Sequence, residues 1–369
     1  MAITGLETTA IAVPFREPYV TARGSLTHRE IALVRVHTDE GPTGLGEAAA
    51  LSLRGGAPLR TIVSELETRC SDALRGVDLS TLATAEPGRV SDAVAALLDS
   101  YGATNAQARA AVDLALHDLA GKLCGRPLWE LLGAPGAEPV ECNGTLVAGT
   151  PESVARRATE LAQSGFTAVK VKARGDEDVE TITAVRAAIG DDVAVRVDAN
   201  GVWSTAEAIA TLGELEPANL ELAEQPAASI EELAVVRAAV RPLIVADESV
   251  GSAADARGAA DAEACDAVTI KLAKVGGISP ALAIAEILPS YLSSALDGPV
   301  GIAAAAHLAQ SLPATGVARS LAHGLATAPL FATQIASVAA ELNEGRLSPP
   351  PGPGLGVELD EAMVAQVAL

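Results

Sequence analysis

A chain of 369 residues with a formal charge of −21 is too long for one small core, so it calls for two domains or a barrel with an accessory domain; its charge repels polyanions, which argues against nucleic acid as a partner. Almost half the residues are apolar but only 2% are aromatic, which leaves Ala, Val, Leu and Ile to build the core. Cys70, Cys124, Cys142 and Cys265 show neither CxxC spacing nor a nearby His, so neither a zinc site nor a disulfide framework is signalled. Neither a signal peptide nor an apolar stretch of spanning length is legible, so a soluble cytoplasmic protein with no membrane partner is expected.

Taken in chain order, the first 130 residues read as mixed α+β. The stretch "IALVRVHTDEGPTGLGEA" alternates as two strands about an Asp-Glu-Gly-Pro turn, and "AQARAAVDLALHDLAGKLCG" has the apolar stripe of a helix ending at Gly125. After "GAPGAEP" the pattern repeats: a short β-rich run, a turn, then an Ala-rich helix. Such runs begin at Val140, Thr167, Val193, Leu220, Leu243 and Ala267, with a seventh at Tyr291 and an eighth at Leu325. Repeated βα units imply a parallel sheet, either an open doubly wound one or a closed barrel.

The charges favour the barrel, whose reactive side chains come from the C-terminal ends of several strands. Lys172, Asp198, Glu224, Asp247 and Lys271 each end one run, at separations of 198−172 = 26, 224−198 = 26, 247−224 = 23 and 271−247 = 24 residues. Closure brings three carboxylates around one point with lysines on either flank. Such an oxygen-rich set suits Mg²⁺, with Mn²⁺ as the alternative.

The segments "AVKVKA", "VRVDANGVW", "LAEQP", "VADES" and "TIKLAKVGG", with "PGPGLGVELDE" near the C-terminus, resemble the enolase superfamily in its muconate-lactonizing-enzyme subgroup. The resemblance implies an α/β fold: a (β/α)₇β TIM-like barrel over residues 135–345 and an N-terminal α+β capping domain over 1–130, completed by 346–369. It also implies Mg²⁺ held by Asp198, Glu224 and Asp247, and acid/base lysines at Lys172 and Lys271. Lys170 and Lys172 look like the KxK motif of that family, with Lys172 as the base. The chemistry is consistent with this. Removing a proton α to a carboxylate leaves an enediolate that a divalent cation stabilises, and a second ammonium beside the base favours its neutral form.

Local features bear on the substrate, a small carboxylate. The stretches "RGSLTHRE" from Arg23 and "GLGEAAAL" from Gly44 resemble capping-domain loops of o-succinylbenzoate synthases, and Ser293 to Pro313 resembles their seventh-strand region. Arg23 and Thr27 are candidate substrate contacts on a loop from Thr21 to Thr27, Ser293 and Ser294 are candidate donors to a succinyl carboxylate, and Asn200 supports the site. The DxD motif of dipeptide epimerases is absent, since "SAL" precedes Asp297, and none of the five histidines has a catalytic context. The expectation is a Mg²⁺-dependent lyase that dehydrates 2-succinyl-6-hydroxy-2,4-cyclohexadiene-1-carboxylate to o-succinylbenzoate, a step of menaquinone synthesis. The alternatives are an N-acylamino-acid racemase, a dipeptide epimerase or a muconate-type cycloisomerase, and more remotely a non-catalytic barrel-shaped binding protein. Similar enzymes form dimers and octamers, so a homo-oligomer is in keeping with the resemblance.

Overall fold

The computed structural model describes every residue except 22, 23, 40, 53, 54, 100–104, 148, 174, 176 and 314, together with the side chain of residue 21. The chain opens with an antiparallel sheet of β1 (Ile3–Thr21), β2 (Gly24–Thr38) and β3 (Thr43–Ala49), the last two on either side of the anticipated turn. Helix α1 (Ala106–Cys124) packs on this sheet. The Asn105 side chain caps its N-terminus by accepting from the Ala108 amide at 2.7 Å, and Gly125 ends it in the left-handed region at φ 64°. The glycines of "GLGEA" make that packing possible: a Cβ on Gly46 would lie 1.9 Å from the Ala111 carbonyl oxygen, and one on Gly44 would lie 2.2 Å from that of Ala115.

Of the stretch expected as a loop from Thr21 to Thr27, Gly24 to Thr27 belong to β2. Thr21 pairs with Gly24, Val20 with Ser25 and Tyr19 with Leu26, so Ser25 to Thr27 are extended backbone. The irregularity falls earlier, between Pro14 and Tyr19, where β1 carries more residues than its partner. There Phe15 stacks on Phe331 at 4.9 Å between ring centroids, with Tyr19 beside it at 5.8 Å.

The βα repeat forms seven parallel strands paired in chain order: β4 (Asn143–Leu146), β5 (Ala168–Lys172), β6 (Ala194–Asp198), β7 (Leu222–Glu224), β8 (Leu243–Ala246), β9 (Ala267–Ile270) and β10 (Ser290–Leu292). The eighth position is two residues earlier than expected. His323 bridges to Cys142 and Gly324 to Ser293, both parallel, and these contacts join β10 back to the start of β4. Ala328–Leu330, within the run expected as the last strand, is a 3₁₀ turn in which Pro329 offers no amide to a sheet.

Alternation divides the barrel into two environments. Val169, Val171, Val195, Val197, Ile244 and Val268 face outward into the large core shared with the helices. Inside, Leu222, Val245, Ala267, Tyr291 and Leu321 form a separate small apolar cluster. After the barrel the chain returns to the first sheet: Ala368 bridges to Ile11, and the Ala12 amide donates to the Val367 carbonyl at 2.8 Å. All four cysteines are free thiols, and among the described residues no helix is long and apolar enough to cross a membrane.

Candidate active site

The register of β5 explains its two lysines. Residues 168–172 are all buried, yet only 169 and 171 meet the helices, so Lys170 and Lys172 point into the barrel. There Lys170 Nζ donates to Glu224 Oε1 and Oε2 at 3.1 and 3.0 Å and lies 3.2 Å from Asp198 Oδ2. Lys172 donates to Asp198 Oδ2 and lies 3.3 Å from Asn200 Oδ1. From the far side Lys271, immediately after β9, donates to Asp247 Oδ2 and reaches Glu224 Oε1 at 3.8 Å. The structure therefore brings together all three predicted carboxylates, all three predicted lysines and Asn200. Each of them is buried.

Neighbouring charge shifts the ionisation of Lys170 and Asp198. Burial opposes the charge on Lys170, but the Glu224 and Asp198 carboxylates outweigh it and hold the ammonium well above its ordinary range. Burial likewise works against ionised Asp198, yet Lys172, Lys170 and Lys271 hold it well below the usual carboxylate range. Asn200, in the left-handed region at φ 50°, donates its amide to Asp198 Oδ1 at 3.0 Å and its Nδ2 to Glu248 Oε1 at 3.0 Å. Gln225 accepts from the Asp247 amide at 2.7 Å, so it fixes the backbone next to that carboxylate.

Sequence reading missed four contributors. Lys274, one helical turn beyond Lys271, donates to Asp247 Oδ1 at 2.9 Å. Tyr291 donates its hydroxyl to Glu224 Oε2 at 3.0 Å. Glu47, on β3, accepts from the amides of Gly298 and Val300 at 2.6 and 3.1 Å and so caps the helix Pro299–Ala309. Burial, and then the nearby Asp297 carboxylate, push Glu47 up to about 8. Arg29, on β2, donates to the Ala295 carbonyl. The signal for Glu47 was a lone acid in the apolar run "GLGEAAAL", which cannot be buried without partners.

Helix α1 packs against the segment that follows Lys271. Gln107 donates to the Ala273 carbonyl at 3.1 Å, and Asp113 accepts from the Ile278 amide at 2.7 Å. Gly277 is required there: at φ 113° any Cβ would meet the Asp113 carboxyl carbon at 2.3 Å. A cavity of about 350 Å³ lies between Leu51, Gly56 and Gln107 on one side and Asp247, Lys271 and Lys274 on the other. Of the predicted substrate contacts, Arg23 falls outside the described residues. Thr27 is an exposed strand residue bonded to its neighbour His28 at 3.2 Å. Ser294 donates to Asp297 Oδ2 at 3.0 Å and accepts from the Asp297 amide at 2.8 Å, so it shapes a turn. Ser293 Oγ is 3.5 Å from the Gly324 carbonyl at the barrel seam.

A hard divalent cation fits the chemistry of this donor set, since Asp198, Glu224 and Asp247 offer only oxygen from three adjacent strand ends. In this structure the ammonium groups stand between the carboxylates, and among the described residues no three Asp, Glu, His or Cys side chains lie at metal-ligand spacing.

Comparison with known proteins shows the family. Residues 3–133 match the family described as mandelate racemase / muconate lactonizing enzyme, N-terminal domain, and residues 153–363 match the enolase C-terminal domain-like family. The L-Ala-D/L-Glu epimerase of Clostridium acetobutylicum is 34% identical over 81% of this chain and 84% of its own. The crystal structure of the N-succinyl Arg/Lys racemase of Bacillus cereus superposes with a TM-score of 0.90 at 28% identity, over 100% of this chain and 98% of that one. A dipeptide epimerase of Enterococcus faecalis, complexed with Mg and the dipeptide L-Leu-L-Tyr, gives 0.87 at 28% identity over 97% and 100%.

Proposed function

Since the chain belongs to the enolase superfamily, in its mandelate racemase / muconate lactonizing enzyme branch, we propose that it racemises or epimerises an N-acylated amino acid by moving the proton α to the carboxylate. The observation that carries this reading is the placement of two buried amines on opposite sides of the carboxylate cluster. Lys172 ends β5 and Lys271 follows β9, with the acid-bearing ends of β6, β7 and β8 between them. Inversion at a carbon needs one group to take a proton from one face and another to return it to the opposite face. The relatives above are epimerases and racemases, which favours this reading over the dehydration expected from sequence.

Charge supports an anionic substrate. The amine that takes the proton must be neutral, so three ammonium groups among Lys170, Lys172, Lys271 and Lys274, with a divalent cation, stand against the carboxylates of Asp198, Glu224, Asp247 and Glu248 and leave a charge of about +1 for a substrate carboxylate to offset. Mg²⁺, or Mn²⁺, held by Asp198, Glu224 and Asp247 would supply electrostatic stabilisation of the enediolate. Lys170 remains a fixed cation against Glu224 and Asp198. Asn200 Oδ1 holds the Lys172 amine toward the cluster, and the bases exchange roles for the opposite enantiomer. Asp297, the acid nearest the end of β10, is already occupied by Ser294 and the Ala295 amide. That favours an acyl group such as N-succinyl over a free α-ammonium.

Proton exchange in deuterated water tests the proposal. Wild-type protein with Mg²⁺ should exchange the α proton of both enantiomers of N-succinylamino acids, and Lys271→Arg should abolish exchange from one enantiomer only. Dehydration of the succinyl-hydroxycyclohexadiene carboxylate without any such exchange would restore the lyase reading.

A further inference from the structure

Beneath the carboxylates the barrel holds a second charged group. Arg196 is fully buried and donates to Glu221 Oε2, to Asn143 Oδ1 at 3.2 Å and to the Ala322 carbonyl at 2.6 Å. These acceptors come from three segments around the barrel, so the planar guanidinium has little freedom. Its carbon lies over the Tyr291 ring, 5.5 Å from the centroid, within cation–π range. Tyr291 is 1% exposed, and its hydroxyl donates to Glu224 Oε2 at 3.0 Å. Lys170 donates to that same oxygen at 3.0 Å, while Lys271 approaches the other oxygen, Oε1.

We infer that Tyr291, clamped by Arg196, is a positioning residue that orients the Glu224 carboxylate for a divalent cation. The inference rests on the metal reading given above. A glutamate carboxylate, set by three torsions and placed between two ammonium groups, has several comparable orientations, and a neutral donor fixed from below selects one of them. The phenol suits this task. Its single O–H is a neutral donor already aimed at Glu224 Oε2. Hydrogen bonds to ligands from surrounding groups commonly change metal affinity by about 10–100-fold.

Titration of the metal-free protein with Mn²⁺ alone, followed by calorimetry, tests the role without turnover. Tyr291→Phe keeps the ring beside Arg196 and removes only the hydroxyl, so it should weaken Mn²⁺ binding by about 10–100-fold with little change in the melting temperature of the metal-free protein. At saturating Mn²⁺ its kcat should return close to wild type. Glu221→Gln, at the half-exposed end of the chain of contacts, loosens Arg196 and should weaken Mn²⁺ by a smaller factor, which keeps the test available if Tyr291→Phe folds poorly. Wild-type affinity in both variants would overturn the role of Tyr291 alone. Failure of the wild-type protein to bind Mn²⁺ would overturn the metal reading and this inference with it.

Discussion

The inner and outer faces of the barrel strands differ as sharply as two separate proteins. On β5 the outward residues are Val169 and Val171 and the inward ones Lys170 and Lys172; on β6, Val195 and Val197 alternate with Arg196 and Asp198. Outside, burial is apolar and contributes stability. Inside, the apolar cluster is small, and most of the buried side chains near it are charged and matched in pairs. Because the period of a strand is two, one short run serves both purposes, and a slip of one residue would exchange them. Stability and chemistry are thus written in alternate letters of the same segments.

Substitutions one residue apart should separate the two roles. The largest effect is expected inside: Lys172→Ala should lower α-proton exchange per folded molecule by about 10²–10⁴-fold, the usual contribution of a positioned base, measured by deuterium incorporation. Loss of less than tenfold would show that another group takes the proton. Outside, Ile244 is fully buried in the outer core, two residues before the end of β8. Ile244→Ala should cost about 2–5 kcal/mol in denaturant unfolding while leaving exchange per folded molecule nearly unchanged. A large loss of activity in that variant would mean that the outer core also sets the geometry of the site.

A smaller effect distinguishes the catalytic charges from those at the junction with the first sheet. Inside the barrel each acid faces an ammonium, whereas Glu47 faces Asp297 and backbone amides, and is pushed up to about 8. Between pH 4.5 and 8 the folded chain therefore keeps a proton that the unfolded chain has lost, so this group makes stability fall as pH rises. His307 and His323 act in the opposite sense. Burial lowers both to about 4, so between pH 4 and 6.5 the unfolded chain holds protons that the folded chain lacks, and stability rises with pH. From these three groups the melting temperature should climb toward about pH 6.5 and decline toward pH 8. Glu47→Gln should flatten the upper decline; an unchanged slope would place its cause elsewhere.

The features legible in the sequence were those with a period. The parallel strands, the helix ending at Gly125 and the ring from Lys172 to Lys271 follow from alternation and from one charge per βα unit. What escaped depends on contacts between distant parts of the chain. Tyr291 meets Glu224 across 67 positions, and Glu47 caps a helix 251 positions away. The barrel seam consists of bridges at His323 and Gly324, too short to show a pattern, and Thr21 to Thr27 read as a loop because its likeness to capping-domain loops outweighed the pairing of β1 with β2. Substrate class was the least legible, since loops have no period and their local likeness pointed to dehydration.

The bridge between Ile11 and Ala368 also has a bearing on time. Those residues are 368−11 = 357 positions apart, so at a synthesis rate of about 5–20 residues per second the partner of β1 emerges roughly 20–70 s after β1 itself. For that interval the stretch from Ala10 to Ala12 waits without its final neighbour while the barrel is still being made. The nascent chain thus carries this short stretch of open strand edge through most of its synthesis.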